Sequence, residues 1–142
     1  MAAPLEVIVT STNQKLGYSS SLRSLPPIAM DYIPPLGDGQ GYMPLELLLM
    51  SLAACAGGTV GLLLKKTGKT VSKIRVHAKG IRRDQHPTCF RQILLAFIVN
   101  SSDVKDADMQ QAIKLAEESV CPVWAMVKGN VEVSTEYEIV AA

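Results

Sequence analysis

The chain has 142 residues, about one domain's worth, and at this length it buries roughly 68% of the surface it exposes when unfolded, so it needs no disulfide or metal to hold a core together. Fourteen Lys and Arg against thirteen Asp and Glu leave a formal charge of +1, which excludes a basic field for gripping nucleic acid or an anionic membrane. One Trp, four Tyr and two Phe are too few for a base-stacking platform, and 48% hydrophobic with 19% charged residues is the composition of a folded globule.

Leu5, Val7 and Val9 alternate with Glu6, Ile8 and Thr10 and predict a first strand, and Ser19–Ser24 and Ile28–Ile33 can supply two more short ones. Six of the eight prolines lie at or before Pro44, and Pro26-Pro27, Pro34-Pro35, Gly37, Gly39 and Gly41 make residues 1–43 a loop-rich lead-in. Pro44, suited to a first helical position, opens a run of leucines and alanines that ends at Lys65-Lys66 and Gly68. This predicts a helix over 44–66, roughly 34 Å long at 1.5 Å per residue. Leu47–Leu64 carries no charge over eighteen residues, the lower limit for a membrane span. Ser51, Thr59, Gly57, Gly58 and Gly61 dilute it, and the flanking segments alternate like soluble strands, so it reads as a buried core helix, apolar all round, with a membrane anchor as the rival. Gly57 and Gly61 also match GxxxG, a weak signal in one sequence.

In the remaining stretch, 71–140, Ile74, Val76 and Ala78 face one way and Lys73, Arg75, His77 and Lys79 the other, as in a half-buried strand that leaves His77 at the surface. Turn residues around Asp84–Pro87 lead into Phe90–Val99, apolar on both faces, which predicts a central strand hairpin-paired to the first. Asp103 and Asp106 are placed to cap a second, amphipathic helix with Met109, Ala112, Ile113, Ala116 and Val120 on one face. Gly129 then releases a last strand with Val131, Val133, Thr135, Tyr137 and Ile139 alternating against polar residues.

The order is that of an α+β fold within a single domain spanning 1–142. A helix apolar on every side needs cover on every side. One sheet of about six strands and the amphipathic helix supply only part of it, and Ala53, Ala54, Ala56, Gly57 and Gly58 would let another backbone approach closely. A homodimer packed helix on helix is the expected source of the remainder.

Cys55, Cys89 and Cys121 are odd in number and lack a CxxC pair, which fits a reducing compartment better than a secreted disulfide scaffold. The N-terminus carries no basic region followed by a long apolar stretch, and the protein is expected to be cytoplasmic. Cys55 lies eleven residues into the helix between Ala54 and Ala56, where a packed small hydrophobe is the plain reading. Cys121 precedes Pro122, which pushes it out of the α region; the second helix should end near Val120 and Cys121 should cap a short new helix beginning at Pro122. Unpaired N–H groups and the positive dipole end there favour a thiolate. Cys89 reads as a bystander thiol. His86 and Cys89, spaced H-x-x-C, could offer two metal ligands, with Cys55 and Cys121 completing a zinc set; nothing in the spacing brings the four together, and no bound metal is expected.

The segment from Pro44 through Leu45, Glu46 and Leu47 to Cys55, the stretch Arg82-Arg83-Asp84-Gln85-His86-Pro87, and Glu117-Glu118-Ser119-Val120-Cys121-Pro122-Val123 resemble the OsmC/Ohr family, the osmotically inducible protein C and organic hydroperoxide resistance proteins. The similarity runs from about Ile28 to Ile139. It implies an α+β fold of antiparallel sheets around the long buried helix in an intertwined homodimer, and a thiol peroxidase. By the resemblance Cys55 is the peroxidatic thiol, oxidised to a sulfenic acid, and Cys121 resolves it to a disulfide that an external dithiol, of lipoyl type or similar, reduces. The resemblance also implies a thiolate-stabilising arginine from the N-terminal loops, for which Arg23 is the default, and a glutamate at the start of the helix. The Ohr branch carries that glutamate directly after the proline, where this chain has Leu45 and then Glu46. The expectation is a cytoplasmic, homodimeric peroxidase for organic hydroperoxides with no bound cofactor. Its rival is a non-catalytic member that binds a small apolar ligand at the dimer interface.

Overall fold

Proline and glycine break the first forty residues into very short pieces. The computed structural model describes residues 2–142, in two compact units, one up to Leu48 and one from Leu49 to Ala142. In the first unit β1 (Thr10–Ser11), β2 (Tyr18–Ser20) and β3 (Ile28–Met30) form an antiparallel sheet in that order. The strand expected over Leu5–Val9 does not form, and Leu5 and Ile8 are 96% and 80% exposed. Alternation alone does not make a strand. The three residues of β2 pair only with Thr10 and Ser11 on that side, so the apolar residues before Thr10 lie beyond the ladder.

The loop after β3 is built on Asp31, buried at 2% exposure. Its carboxylate accepts the backbone N–H groups of Tyr32 at 2.8 Å and of Asp38 and Gln40 at 3.2 Å. A side chain at Gly37 would collide with that carboxylate and with the Tyr32 backbone, so only glycine fits.

The helix α1 (Pro44–Lys66) has the predicted bounds. Gly68 ends it at φ +82, with its own N–H on the Lys65 carbonyl and that of Lys69 on Leu64, as in a glycine-terminated helix. By length, and at a mean hydropathy of 2.1, α1 could cross a membrane. Within the chain it behaves as a core helix with one buried stripe, Leu52, Ala56, Val60 and Leu64, all at 0–1% exposure. One chain leaves part of the helix uncovered: Met50, Ala54, Gly58 and Leu62, at i, i+4, i+8 and i+12, form an exposed stripe. Gly57 and Gly61 lie against the next strand. A Cβ at either would come within 2.8 Å of Val76 Cγ2 or Ile74 Cδ1, so both let the helix settle onto the next strand.

That strand, β4 (Lys73–Arg82), pairs antiparallel with β5 (Phe90–Asn100), Ile74 opposite Val99. The burial of β4 alternates as predicted, with His77 exposed, and β5 is the centre of a second three-stranded sheet in the order β4-β5-β6. Two sheets of three thus replace the single six-stranded sheet. They are also not wholly antiparallel, because β6 (Glu132–Val140) runs parallel to β5, Phe97 beside Tyr137. A parallel neighbour requires a crossover, and the connection supplies one through α2 (Asp106–Leu115), a π turn (Ala116–Val120) and α3 (Pro122–Val127). The α2 N-terminus lies later than Asp103: Lys105 is the N-cap and Asp108 accepts its N–H at 2.8 Å. Asp103 instead accepts the Thr70 N–H at 2.9 Å. Ile93, Leu95, Phe97 and Val99 of β5, Met109 and Ala116 of the crossover and Trp124 of α3 complete this core at 0–1% exposure.

Replacing Gly57 with Leu should overpack the α1–β4 contact and destabilise the protein by about 1–3 kcal/mol in chemical denaturation. Backbone N–H groups hold three carboxyls below the ordinary aspartate value of 3.8: Tyr32 chiefly for Asp31, Thr70 for Asp103 and Lys105 for Asp108. Lowered folded values mean that this stabilisation is fully present above 3.8 and is lost as pH falls through the depressed values. Asp31→Asn should therefore be less stable than the parent at neutral pH, and the gap should close in acid denaturation curves below that point.

Candidate thiol site

Two cysteines 66 positions apart in sequence meet in the second unit. Cys55 sits on α1 beside buried Ala56 and is itself half-buried. Cys121 arrives by a less regular route. The last turn of the second helix widens, the Cys121 N–H reaching back five residues to the Ala116 carbonyl at 2.9 Å. Pro122 then forbids continuation, and Cys121 leaves the helix at φ −75, ψ 109 as the N-cap of α3. Trp124 and Val127 bury the inner face of α3 and fix its position. Cys121 is left at 2% exposure with its thiol donating to the Cys55 sulfur at 3.2 Å.

The end of the helix near Val120 and the N-cap place of Cys121 follow the sequence. The expected preference of Cys121 for the thiolate does not. Burial raises its thiol above the ordinary value of 9.0, and the backbone N–H groups of Trp124 and Val123 oppose the rise. The hydrogen bond to Cys55, and that sulfur's charge, add to it, so the net direction is upward. Desolvation and a second sulfur outweigh the end of a six-residue helix. Cys121 is the buried, donating member of the pair and Cys55 the partly open acceptor.

Arg23 and Glu46 both lie in the N-terminal unit. Arg23 is exposed in the turn after β2, where it and Ser24 adopt left-handed φ values of +53 and +62. Glu46 is exposed at the start of α1, and its Oε1 accepts the Met43 N–H at 2.8 Å, closing the helix N-terminus as a capping box does. Leu45, the residue in the Ohr-type glutamate position, is half-buried. Cys89 is half-buried in the β4–β5 turn, where its carbonyl accepts the Arg83 N–H at 2.9 Å. Among the described residues no three His, Cys, Asp or Glu side chains gather as a metal-ligand set, so His86 and Cys89 are not joined by the other cysteines. The feature that sequence reasoning missed is the π turn. Its one visible signal was Pro122, which marks where the helix ends but not how its last turn is wound.

The family model for OsmC-like proteins matches residues 37–136. Protein YhfA from Escherichia coli K12 is 35% identical over 99 residues, 70% of this chain and 74% of YhfA. The crystal structure of a hypothetical protein from Aquifex aeolicus VF5 superposes with a TM-score of 0.86 at 29% identity, over 99% of each chain. An organic hydroperoxide resistance protein from Elizabethkingia anophelis shares the fold at a TM-score of 0.75 and 20% identity, over 98% of this chain and 99% of that one. The matched span holds both cysteines of the pair and the α1, sheet and crossover elements that bring them together, and the chain belongs to the OsmC-like protein family.

Proposed function

We propose that this protein is a thiol-dependent peroxidase that reduces organic hydroperoxides, with Cys55 as the attacking thiol and Cys121 as the resolving one. The observation that carries the proposal is the 3.2 Å contact between a partly open sulfur and a buried one that donates a hydrogen bond to it. The Cys55 thiolate attacks one peroxide oxygen; an S–O bond forms, the O–O bond breaks, and the expelled alkoxide takes a proton from water and leaves as the alcohol. Cys55 is then a sulfenic acid. The Cys121 thiol attacks it, an S–S bond of about 2.05 Å forms, and the S–O bond breaks, the hydroxyl departing as water with the thiol proton. The two sulfurs need approach by little more than 1 Å, which side-chain torsions can supply. An external dithiol of lipoyl type or similar returns the disulfide to two thiols, and no bound cofactor takes part. Structural relatives named as organic hydroperoxide resistance proteins support the substrate class. Three free cysteines suit a reducing compartment, and we place the cycle in the cytoplasm.

The working unit in this proposal is a homodimer. Ala54, Gly58 and Leu62 of the exposed stripe line a groove of about 590 Å³ between α1 and β4. A second copy of α1 fits that stripe because its small residues let two backbones come close and its apolar ends gain cover.

One equivalent of an alkyl hydroperoxide, followed by blocking of free thiols and peptide mass mapping, should yield a Cys55–Cys121 crosslink and a blocked Cys89. Cys55→Ser should abolish turnover, and Cys121→Ser should leave a trappable sulfenic acid. Three reduced cysteines after peroxide treatment would sink the proposal in favour of a ligand-binding role. Sedimentation should give a dimer mass that Ala54→Arg converts to that of a monomer.

A further inference from the structure

We propose that the outward face of the β4-β5-β6 sheet is a docking surface for a second copy of this chain, separate from the α1 stripe, with the two copies stacked sheet on sheet about a two-fold axis that runs along β5. The inward side chains of this sheet, Ile74 and Val76 of β4 among them, lie against α1, and the alternate residues face away from it. On β4 these are Lys73, Arg75, His77 and Lys79, all exposed. On β5 they include half-buried Leu94, Ala96 and Ile98, and on β6 exposed Glu132, Glu136 and Glu138. The strand register orders them into rungs that run from basic through apolar to acidic: Arg75, Ile98 and Glu138 lie on one, and His77, Ala96 and Glu136 on the next. These two rungs line a shallow trough of about 710 Å³.

The sheet holds its opposite charges apart. Two strand spacings, about 10 Å, divide the basic column from the acidic one. None of these side chains forms an ion pair among the described residues, where the pairs are Lys15–Asp38 and Lys69–Asp108. A pattern of this kind is complementary to itself in one orientation. A two-fold axis across the strands would set base over base and acid over acid. An axis along β5 exchanges the columns and keeps the level, so Arg75 of each copy faces the partner's Glu138, His77 faces the partner's Glu136, and the apolar columns meet at the centre. Aligned sheets about 10 Å apart supply that geometry. Nine residues by three strands make a face of roughly 30 Å by 14 Å, or about 800 Å² over both copies, which is the range of weak, transient contacts. Assembly through this face therefore belongs to concentrated protein at low salt. It adds to the α1 dimer and is independent of the thiol chemistry.

Sedimentation of the full chain tests this. In dilute protein at about 0.15 M salt, where exposed charges are screened beyond about 8 Å, the α1 dimer should be seen alone; near-millimolar protein at about 20 mM salt should double that mass. Arg75→Glu and Glu138→Arg, both at exposed positions, should each weaken the added association at least about 10-fold. Combined in one chain they should restore it, as should an equimolar mixture of the two single variants, because in both cases each acid again faces a base. In Ala54→Arg, which acts on α1 alone, the same change of conditions should convert monomer to dimer, so failure of the α1 interface and failure of the sheet interface are read separately. A mass that does not respond to salt and protein concentration would overturn the proposal and leave the face to a different partner or to water. Single variants whose loss is restored neither by the double variant nor by the mixture would overturn the facing of Arg75 and Glu138 on which it rests.

Discussion

A sulfur–sulfur contact of 3.2 Å between side chains 66 residues apart survives only if both backbones are held to within a few tenths of an ångström, and much of the second unit serves that end. On one side α1 is fixed by its buried stripe and by two glycines that bring it against β4. On the other, α3 is too short to be stable alone and is anchored by Trp124, the largest fully buried side chain of the chain. The parallel β5–β6 pair is what demands a crossover at this point, and the crossover is what carries Cys121. Sheet topology and thiol chemistry are in this sense one constraint.

The electrostatics of the pair come from a contest that geometry alone would misjudge. A helix N-terminus favours negative charge by at most about 2 kcal/mol in partly buried settings, and α3 offers only six residues. Withdrawing a thiol from water and setting a second sulfur beside it act the other way and prevail. The consequence is an asymmetric pair, with one sulfur buried and donating a hydrogen bond and the other half-buried and accepting it. Neither cysteine taken alone would have this asymmetry.

The sequence made some of this legible and not the rest, for physical reasons. Helix α1 could be read to the residue because Pro44 and Gly68 act locally on the backbone, and the β4 alternation because period-two burial is also local. The N-cap place of Cys121 followed from the steric effect of Pro122 on its neighbour. What depends on distant partners was misread. The Leu5–Val9 alternation has no ladder to join, and the parallel sense of β6 is set by where the crossover returns rather than by any residue in it. The stretch from Ala53 to Gly61 shows the same limit, because small residues announce close approach without saying to what. Gly57 and Gly61 meet β4, while Ala54 and Gly58 face outward. The meeting of Cys55 with Cys121 was foreseen through family resemblance, not from spacing.

The π turn at Ala116–Val120 is in effect one residue more than an α-helix needs to span the same distance. Its wide hydrogen bond, from Cys121 back to Ala116, absorbs that residue without disturbing α2 before it or α3 after it. Chain length between Leu115 and Pro122 is therefore a discrete setting for the thiol. Wound as ordinary α-helix with the same number of residues, this segment would carry Cys121 about 100° further round the helix axis and turn its sulfur away from α1. Substitution at exposed Glu118 and Ser119 is geometrically cheap, and a single deletion here can be taken up by closing the turn to α winding, whereas an inserted residue finds no such slack.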